Sequence, residues 1–552
     1  MSPTIMSSSP FADILHTNAA PTVAQRHALR EFTSPHRARV AALDDEIARL
    51  NALLDDVVRN RAEEQQLIDA HDALLSPLRA LPVDIIQEVF VRTLPTDGAT
   101  ALIPTEGPLL LSRVCRDWRD IVHRTPSLYA SLHILYPGTP LRVLWLLKTM
   151  ESWLERARGM TLDISFVLSG TWDPKLSVNP VLQALYEARS RWRKMKLVLP
   201  FGHDTHPLSG IPPEEVPNLL SMELALFDGF ELPETPIPVL FPFLATTALQ
   251  SLVLRGPLQL LPSLDNVSYE TLTHLELAVA PRSEVPSPFP ILLRCTSLVS
   301  CILLLTDFNI AAPTPITLQH MRYLSVRGYN FTNHPSVFFS NLRLPSLESF
   351  NYGTNILGNG PEGDLSWLHT LLASGAGADR LTRLELEGHS FVDSEELVRL
   401  LQTTTRLERL SISGDLRAAR AGDPSAPATP MWEKHPDGSF LARFILSAGS
   451  DEILCPLLTH LRLLGFFEMT DTLLSEFIQY RARSGLEHVF CTLRREPTAG
   501  VNPRLDEIKE LDGVRLDVRY FAPGMQPCRK YSPLEGTEQS ISIGDEYFRR
   551  DV

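Results

Sequence analysis

Cysteine is scarce in this 552-residue chain. There are six, at 115, 295, 301, 455, 491 and 528, and no two form a Cys-x-x-Cys pair. That scatter excludes a disulfide framework and reads as reduced thiols in a cytoplasmic or nuclear protein. Long apolar runs are missing too. Greasy stretches such as Leu141 to Leu147 fall far short of the roughly 20 residues that span a bilayer. The opening segment MSPTIMSSSPFADIL has no basic start followed by an apolar run, so no secretory leader is expected, and the sequons at Asn266 and Asn330 read as chance. An excess of positive charge is also lacking. The net charge of −14 argues against broad affinity for phosphate backbones, so neither nucleic acid nor membrane is expected as a partner. No Gly-x-Ser-x-Gly elbow, P-loop or His-Glu-x-x-His pattern occurs, and the expectation is a non-catalytic protein without cofactor or metal.

What is present is strongly periodic. Residues 1–35, rich in Ser, Pro and Thr, read as a disordered N-terminus. Over 36–76 a long amphipathic helix is expected. Val40, Leu43, Ile47, Leu50, Leu54 and Val57 follow heptad spacing, which degrades at Arg61 and Glu64 and returns at Ile68. Nine Asp/Glu and five Arg lie over 36–75. This helix either pairs with a second copy through 40–71 or packs on the next domain, and Pro77 is expected to end it.

From Trp192 onward a hexamer of apolar-x-x-apolar-x-apolar form recurs. It starts at Trp192, Leu219, Leu249, Leu272, Leu298, Met321, Leu347, Leu381, Leu407, Leu458 and Leu486. Most steps are 23 to 30 residues; the 51-residue step after Leu407 is about two periods and holds an apparent insertion near 418–438. The period resembles that of leucine-rich repeats, in which no unit covers its own apolar face and neighbours must stack. The array is expected over 136–522, with a flexible tail over 523–552.

Between helix and array lies a compact helical block, 77–135. Leu81-Pro82 opens a stripe of Ile85, Ile86, Val89 and Phe90. After a loop from Pro95 to Pro108, a second stripe runs through Leu111, Val114, Cys115, Trp118, Ile121 and Val122. Leu81-Pro82, Asp84, Ile86, Val89-Phe90, the run Val114-Cys115-Arg116-Asp117-Trp118-Arg119, and Pro126-Ser127-Leu128-Tyr129 together closely resemble the F-box, with Tyr129 where Trp is usual. The chain as a whole resembles the fungal F-box/leucine-rich-repeat family.

That resemblance implies an α/β chain: a long N-terminal helix and a small α-helical F-box, followed by a leucine-rich-repeat solenoid. It implies a substrate receptor of a cullin-RING (SCF-type) ubiquitin ligase, bound to a Skp-type adaptor through Leu81, Pro82, Ile85, Ile86, Val89, Phe90, Val114, Cys115 and Trp118. Large apolar residues at helical spacing are more often core than interface, so Val114 and Trp118 also read as the block's own core, whereas Leu81, Pro82 and Ile85 read as partner contacts. In the array, residues between the buried positions are expected to hold the target protein, among them His274, Glu276, Tyr323, Arg327, Arg383, Glu385, Arg409, His460 and Arg462. The alternative is a leucine-rich scaffold that oligomerises through its N-terminal helix, without a ligase role.

Three other motifs weigh little. Gly358 to Gly363 matches a dinucleotide fingerprint but sits in a long connection, with Pro361 removing an amide. His203 and His206 lack a third ligand. The basic run Arg189 to Lys196 reads as a solvated helix end.

Overall fold

The computed structural model describes residues 9–15, 17–18, 20–72, 74–75, 77–95, 99–136, 140–168, 177–200, 207–227, 241–257, 267–280, 288–305, 315–329, 335–355, 365–373, 379–387, 394–413, 440–446, 454–466, 469–493 and 504–520. The chain divides into two compact units, Met1–Glu88 and Val89–Val552.

The first unit is dominated by helix α1 (Val23–Asp72), which is 50 residues long. It begins well inside the segment expected to be disordered. A capping box explains the start: the Gln25 amide donates to Thr22 Oγ1 at 3.4 Å while Gln25 Oε1 accepts from the Thr22 amide at 2.9 Å. Pro35 is carried within the helix rather than ending it. At the other end α1 stops at Asp72, short of Pro77, which instead opens a 3-10 turn over Pro77–Ala80. None of the α1 side chains is buried.

Helix α2 (Val83–Arg92) passes from the first unit into the second. Pro82 directly precedes it, and its carbonyl accepts the amides of Ile85 and Ile86. The expected second stripe is not one helix. It is split into α3 (Gly107–Leu111) and α4 (Arg116–His123) by a turn through Val114, because Cys115 is extended, at φ −155°.

The rest of the second unit is mixed α/β, built on one large sheet whose strands are almost all parallel. In chain order the strands are β1 (Ser131–Tyr136), β2 (Leu162–Leu168), β3 (Trp192–Pro200), β4 (Ser221–Phe227), β5 (Ser251–Pro257), β6 (His274–Ala280), β7 (Ser300–Leu305), β8 (Ile316–Thr317), β9 (Tyr323–Tyr329), β10 (Leu342–Arg343), β11 (Ser349–Asn355), β12 (Arg383–Glu387), β13 (Arg409–Ser413), β14 (His460–Phe466), β15 (His488–Leu493), β16 (Glu510–Leu511) and β17 (Val514–Tyr520). Fifteen of them form the sheet in nearly sequential order, while β8 and β10 pair separately. Each of the eleven hexamers coincides with a strand, β3 to β7, β9 and β11 to β15. The arrangement is compatible with a leucine-rich-repeat-like fold.

Inside each hexamer the physics is simple. Leu384 and Leu386, Leu410 and Ile412, and Leu461 and Leu463 point into the core and are buried. Their neighbours Arg383, Arg409 and Arg462 keep contact with solvent. Connecting helices such as Ser394–Thr403 and Asp471–Ala482 supply the other side of that core through Leu397, Leu400, Leu401, Leu474, Phe477 and Ile478. The sheet starts at Ser131, five residues before the expected array. Strands β1 and β2 carry no hexamer; their near-continuous burial marks them as covered on both faces.

The loop between the F-box-like halves has a structural task. The Thr100 carbonyl accepts the His133 amide at 2.7 Å, and Ala101 makes a parallel bridge to His133. Thr100 and Ala101 are buried. The loop therefore covers the free edge of β1, which would otherwise offer unpaired backbone groups. The expected insertion near 418–438 and tail over 523–552 lie outside the described residues. Among the described residues, no helix is long and apolar enough to cross a membrane.

Candidate functional site: two docking surfaces

The first surface is the F-box-like block. In the second unit its core is Phe90, Leu111, Val122, Leu128 and Tyr129, all buried. Cys115 caps α4: its Sγ accepts the Trp118 amide at 3.4 Å. The Trp118 ring then lies half-buried against Phe90, and Arg119 Nε donates to the Ser112 carbonyl at 2.9 Å. Tyr129, the departure from the F-box pattern, is a core residue. Its ring meets Trp153 edge-on at 5.1 Å, and Trp153 Nε1 donates to the Tyr129 carbonyl. Helix α5 (Pro140–Arg156), which carries Trp153, is thereby fastened to the block.

Val114, expected against the adaptor and also as core, is not core: it is 56% exposed, because it sits in the turn between α3 and α4 and not on a continuous helical face. Val89 and Leu110 in the same unit are also exposed. In the first unit, Pro82, Val83 and Ile85 are exposed, while Leu81 and Ile86 are half-buried. Cys115 is exposed as well.

The second surface is the solvent-facing side of the sheet. Its central part satisfies itself. Arg255 donates to Glu276 at 2.7 Å and to Glu223 at 2.6 Å, and Lys196 lies 3.2 Å from Glu223. Burial pulls the Arg255 pKa down, but these carboxylates more than offset that and hold it above its ordinary value. Glu276 is 6% exposed, so this expected target residue belongs to an internal network instead. His274 is exposed, its ring nitrogen lies 2.8 Å from the Thr273 hydroxyl, and partial desolvation lowers its pKa. Glu385 accepts from Asn351 Nδ2 at 2.6 Å. Tyr323 and Arg327 are half-buried on β9.

Further along the sheet the character changes. The strand register aligns Arg383 with Arg409, Arg409 with His460, His460 with His488, and His488 with Arg515. Neighbouring strands lie about 4.8 Å apart, so five cationic or imidazole side chains form one row about 19 Å long. The His460 and His488 rings meet at 5.9 Å between centroids. Burial lowers the His460 pKa, and Arg409, His488 and Arg383 lower it further, with Glu487 opposing. Beside the row, Arg462 and Arg519 both lie over the Phe490 ring, at 5.5 and 5.2 Å. Among the described residues, Arg383, Arg409, Arg462 and Arg515 make no ion pair within 4.0 Å. Sequence reading named Arg383, Arg409, His460 and Arg462 but missed His488 and Arg515. His488 is the third residue of its hexamer, as His460 is, so the same register identifies it. Arg515 lies beyond the last hexamer, and only the pairing of β15 with β17 brings it into the row.

The basic run Arg189 to Lys196 is largely occupied by the fold. Arg189 pairs with Glu215 and lies 4.0 Å over the Tyr186 ring. Arg191 donates to the carbonyls of Leu154 and Arg158, and Arg193 pairs with Asp163 at 2.7 Å. Gly358 to Gly363, His203 and His206 lie outside the described residues. Among the described residues, no three His, Cys, Asp or Glu side chains are grouped so as to hold a metal.

No family model matches the chain, and no curated protein does. Among solved structures, the crystal structure of a TLR13–ssRNA13 complex is similar at 11% identity and a TM-score of 0.28. The match covers 72% of this chain, which spans 49% of that one.

Proposed function

We propose that the chain is a non-catalytic substrate receptor of an SCF-type ubiquitin ligase. In this reading the F-box-like block binds a Skp-type adaptor, and the repeated strand units form a leucine-rich-repeat solenoid that holds the target protein. The observation that carries it is the exposure of Val114, beside exposed Val89 and Leu110, on a block whose core is already filled by Phe90, Leu111, Val122 and Leu128. Apolar side chains left in water around a complete core suit a partner surface. The contribution to ubiquitin transfer is proximity, not chemistry.

For the target, the row from Arg383 to Arg515 favours a segment rich in carboxylate or phosphate groups, because guanidinium and imidazole groups without internal ion pairs await anions. A cytoplasmic or nuclear location fits the cysteines. Cys295, Cys301, Cys455 and Cys491 are buried and in no disulfide, and burial pushes Cys295 and Cys455 up to about 12, well above thiolate formation at neutral pH.

The test is capture of the purified Skp-type adaptor by the full chain. Micromolar or tighter binding that is lost in Val114→Asp, and in Leu81→Asp with Ile85→Asp, supports the proposal. No binding, or binding indifferent to these changes, sinks it.

A further inference from the structure

The 50 residues of α1 make a rod of about 75 Å at 1.5 Å per residue. None of its side chains is buried, and Val40, Leu43, Ile47, Leu50, Leu54 and Val57 are each 50–63% exposed. Isolated helices draw little stability from propensity alone, so a helix of this length with an apolar seam calls for a partner along the seam. Leu53 and Val58 widen the stripe on either side and are equally exposed.

We propose that α1 pairs with α1 of a second copy of this chain as an antiparallel coiled coil, Val40 facing Val57, Leu43 facing Leu54 and Ile47 facing Leu50. The sequence of layers chooses both the occupant and the direction. About this centre the helix is its own complement, and all six central layers are apolar. Continuing outward, Arg61 falls opposite His36 and Glu64 opposite Thr33, so no like charges meet. A parallel pair would set Arg61 against Arg61 and Glu64 against Glu64 within the seam. Its compensation, two surface pairs between Arg39 and Asp44, is worth little in water, whereas like charges facing each other inside a seam are costly. On the antiparallel flanks Arg39 meets Asn60, Asp44 meets Asn51 and Glu46 meets Leu53, again without repulsion. Glu46 and Asp56 are already held within their own helix, by Arg49 and Arg59.

The geometry has a consequence beyond the receptor reading. Residue 72 of one helix lies level with residue 25 of the other, so the C-terminal ends of the two helices stand about 70 Å apart. An antiparallel dimer therefore presents two separated attachment points instead of one double site.

The experiment uses the full chain. Multi-angle light scattering at micromolar concentration is expected to give about twice the 61.7 kDa of one chain. Ile47→Asp with Leu50→Asp is expected to weaken the dimer at least about 100-fold and give monomer, while the thermal unfolding of the strand-built unit, Val89–Val552, stays in place because neither residue belongs to its core. A photoreactive benzophenone side chain at Val40 then reports direction. Cross-linking to the tryptic peptide Leu50–Arg59 of the other copy is expected; the same helix cannot supply it, since Val57 lies about 25 Å further along. A monomeric chain, a dimer that survives the double substitution, or cross-linking of the Val40 peptide to itself would each overturn the proposal.

Discussion

The rings of Phe90 and Trp118 meet at 4.7 Å between centroids with an interplanar angle of 58°, and this contact joins α2 to α4. It divides the signature run 114–119 into two kinds of residue. Trp118 serves the block's own packing, while Val114, four residues earlier, faces water.

The two kinds separate experimentally. Phe90 is 2% exposed, so Phe90→Ala is expected to cost about 3–5 kcal/mol of stability. Val114→Asp is expected to change stability by under about 0.5 kcal/mol, as for a surface substitution, yet to abolish adaptor capture. Thermal melts and pull-downs on the same preparations check both. Equal destabilisation by the two changes would contradict the assignment.

The row of cations predicts a pH dependence. In the free protein His460 is held below its usual value of 6.5 by burial and by Arg409, His488 and Arg383. An anion seated on the row favours the imidazolium, so binding takes up a proton. Affinity for an acidic peptide should therefore rise as pH falls through the raised pKa of the complex and level off below the depressed value of the free protein. The rise is up to about tenfold for each unit by which the ligand raises the pKa. Fluorescence anisotropy from pH 8 to 5 measures it. His460→Gln should flatten the curve, and Arg409→Glu should weaken binding at every pH.

Arg481 is fully buried, and its guanidinium donates to the carbonyls of Leu454 at 3.1 Å and Cys455 at 2.6 Å. These bonds hold a turn in which Cys455 adopts φ +45°, in the left-handed region. Arg481→Met removes both donors; the Cys455 carbonyl keeps the Leu458 amide at 3.1 Å while the buried Leu454 carbonyl loses the guanidinium, at a cost of about 1–3 kcal/mol. Chemical denaturation should show the loss, with Arg481→Lys falling between the two.

Gly256 on β5 has φ +136°, and a Cβ there would sit 2.6 Å from the backbone oxygen of Leu226 on β4. Neither atom belongs to a flexible side chain that can move aside. Gly256→Ala should therefore destabilise by at least about 1–3 kcal/mol. A melting temperature unchanged from the parent would show that the strands shift apart at no cost.

Much of this was legible in the chain itself. The eleven hexamers became strands because alternation over six residues is a local signal that needs no distant partner. The Thr22-to-Gln25 box is equally local, yet the Ser, Pro and Thr content around it reads as disorder, and α1 starts earlier than expected. Val114 was misplaced for the opposite reason. Its spacing from Leu111 and Trp118 is helical, but an extended Cys115, whose sulfur caps α4, breaks the helix between them. Spacing alone does not reveal such a break.

The sequence by itself determined the period of the strands, the burial of their leucines and the heptad seam of α1, because each depends on residues a few positions apart. Tertiary structure alone decided which polar residues share a row, and which of them are already spent. Arg255, just past its hexamer, and Arg409, third in its own, lie on the same face of one sheet. Register aligns Val253 with Glu223 and Glu276, so Arg255, two residues on, reaches diagonally to both carboxylates, whereas it sets Arg409 directly between Arg383 and His460. A charge becomes structural or available according to what the adjoining strand brings beside it, and strands about 4.8 Å apart are often more than twenty residues apart in the chain.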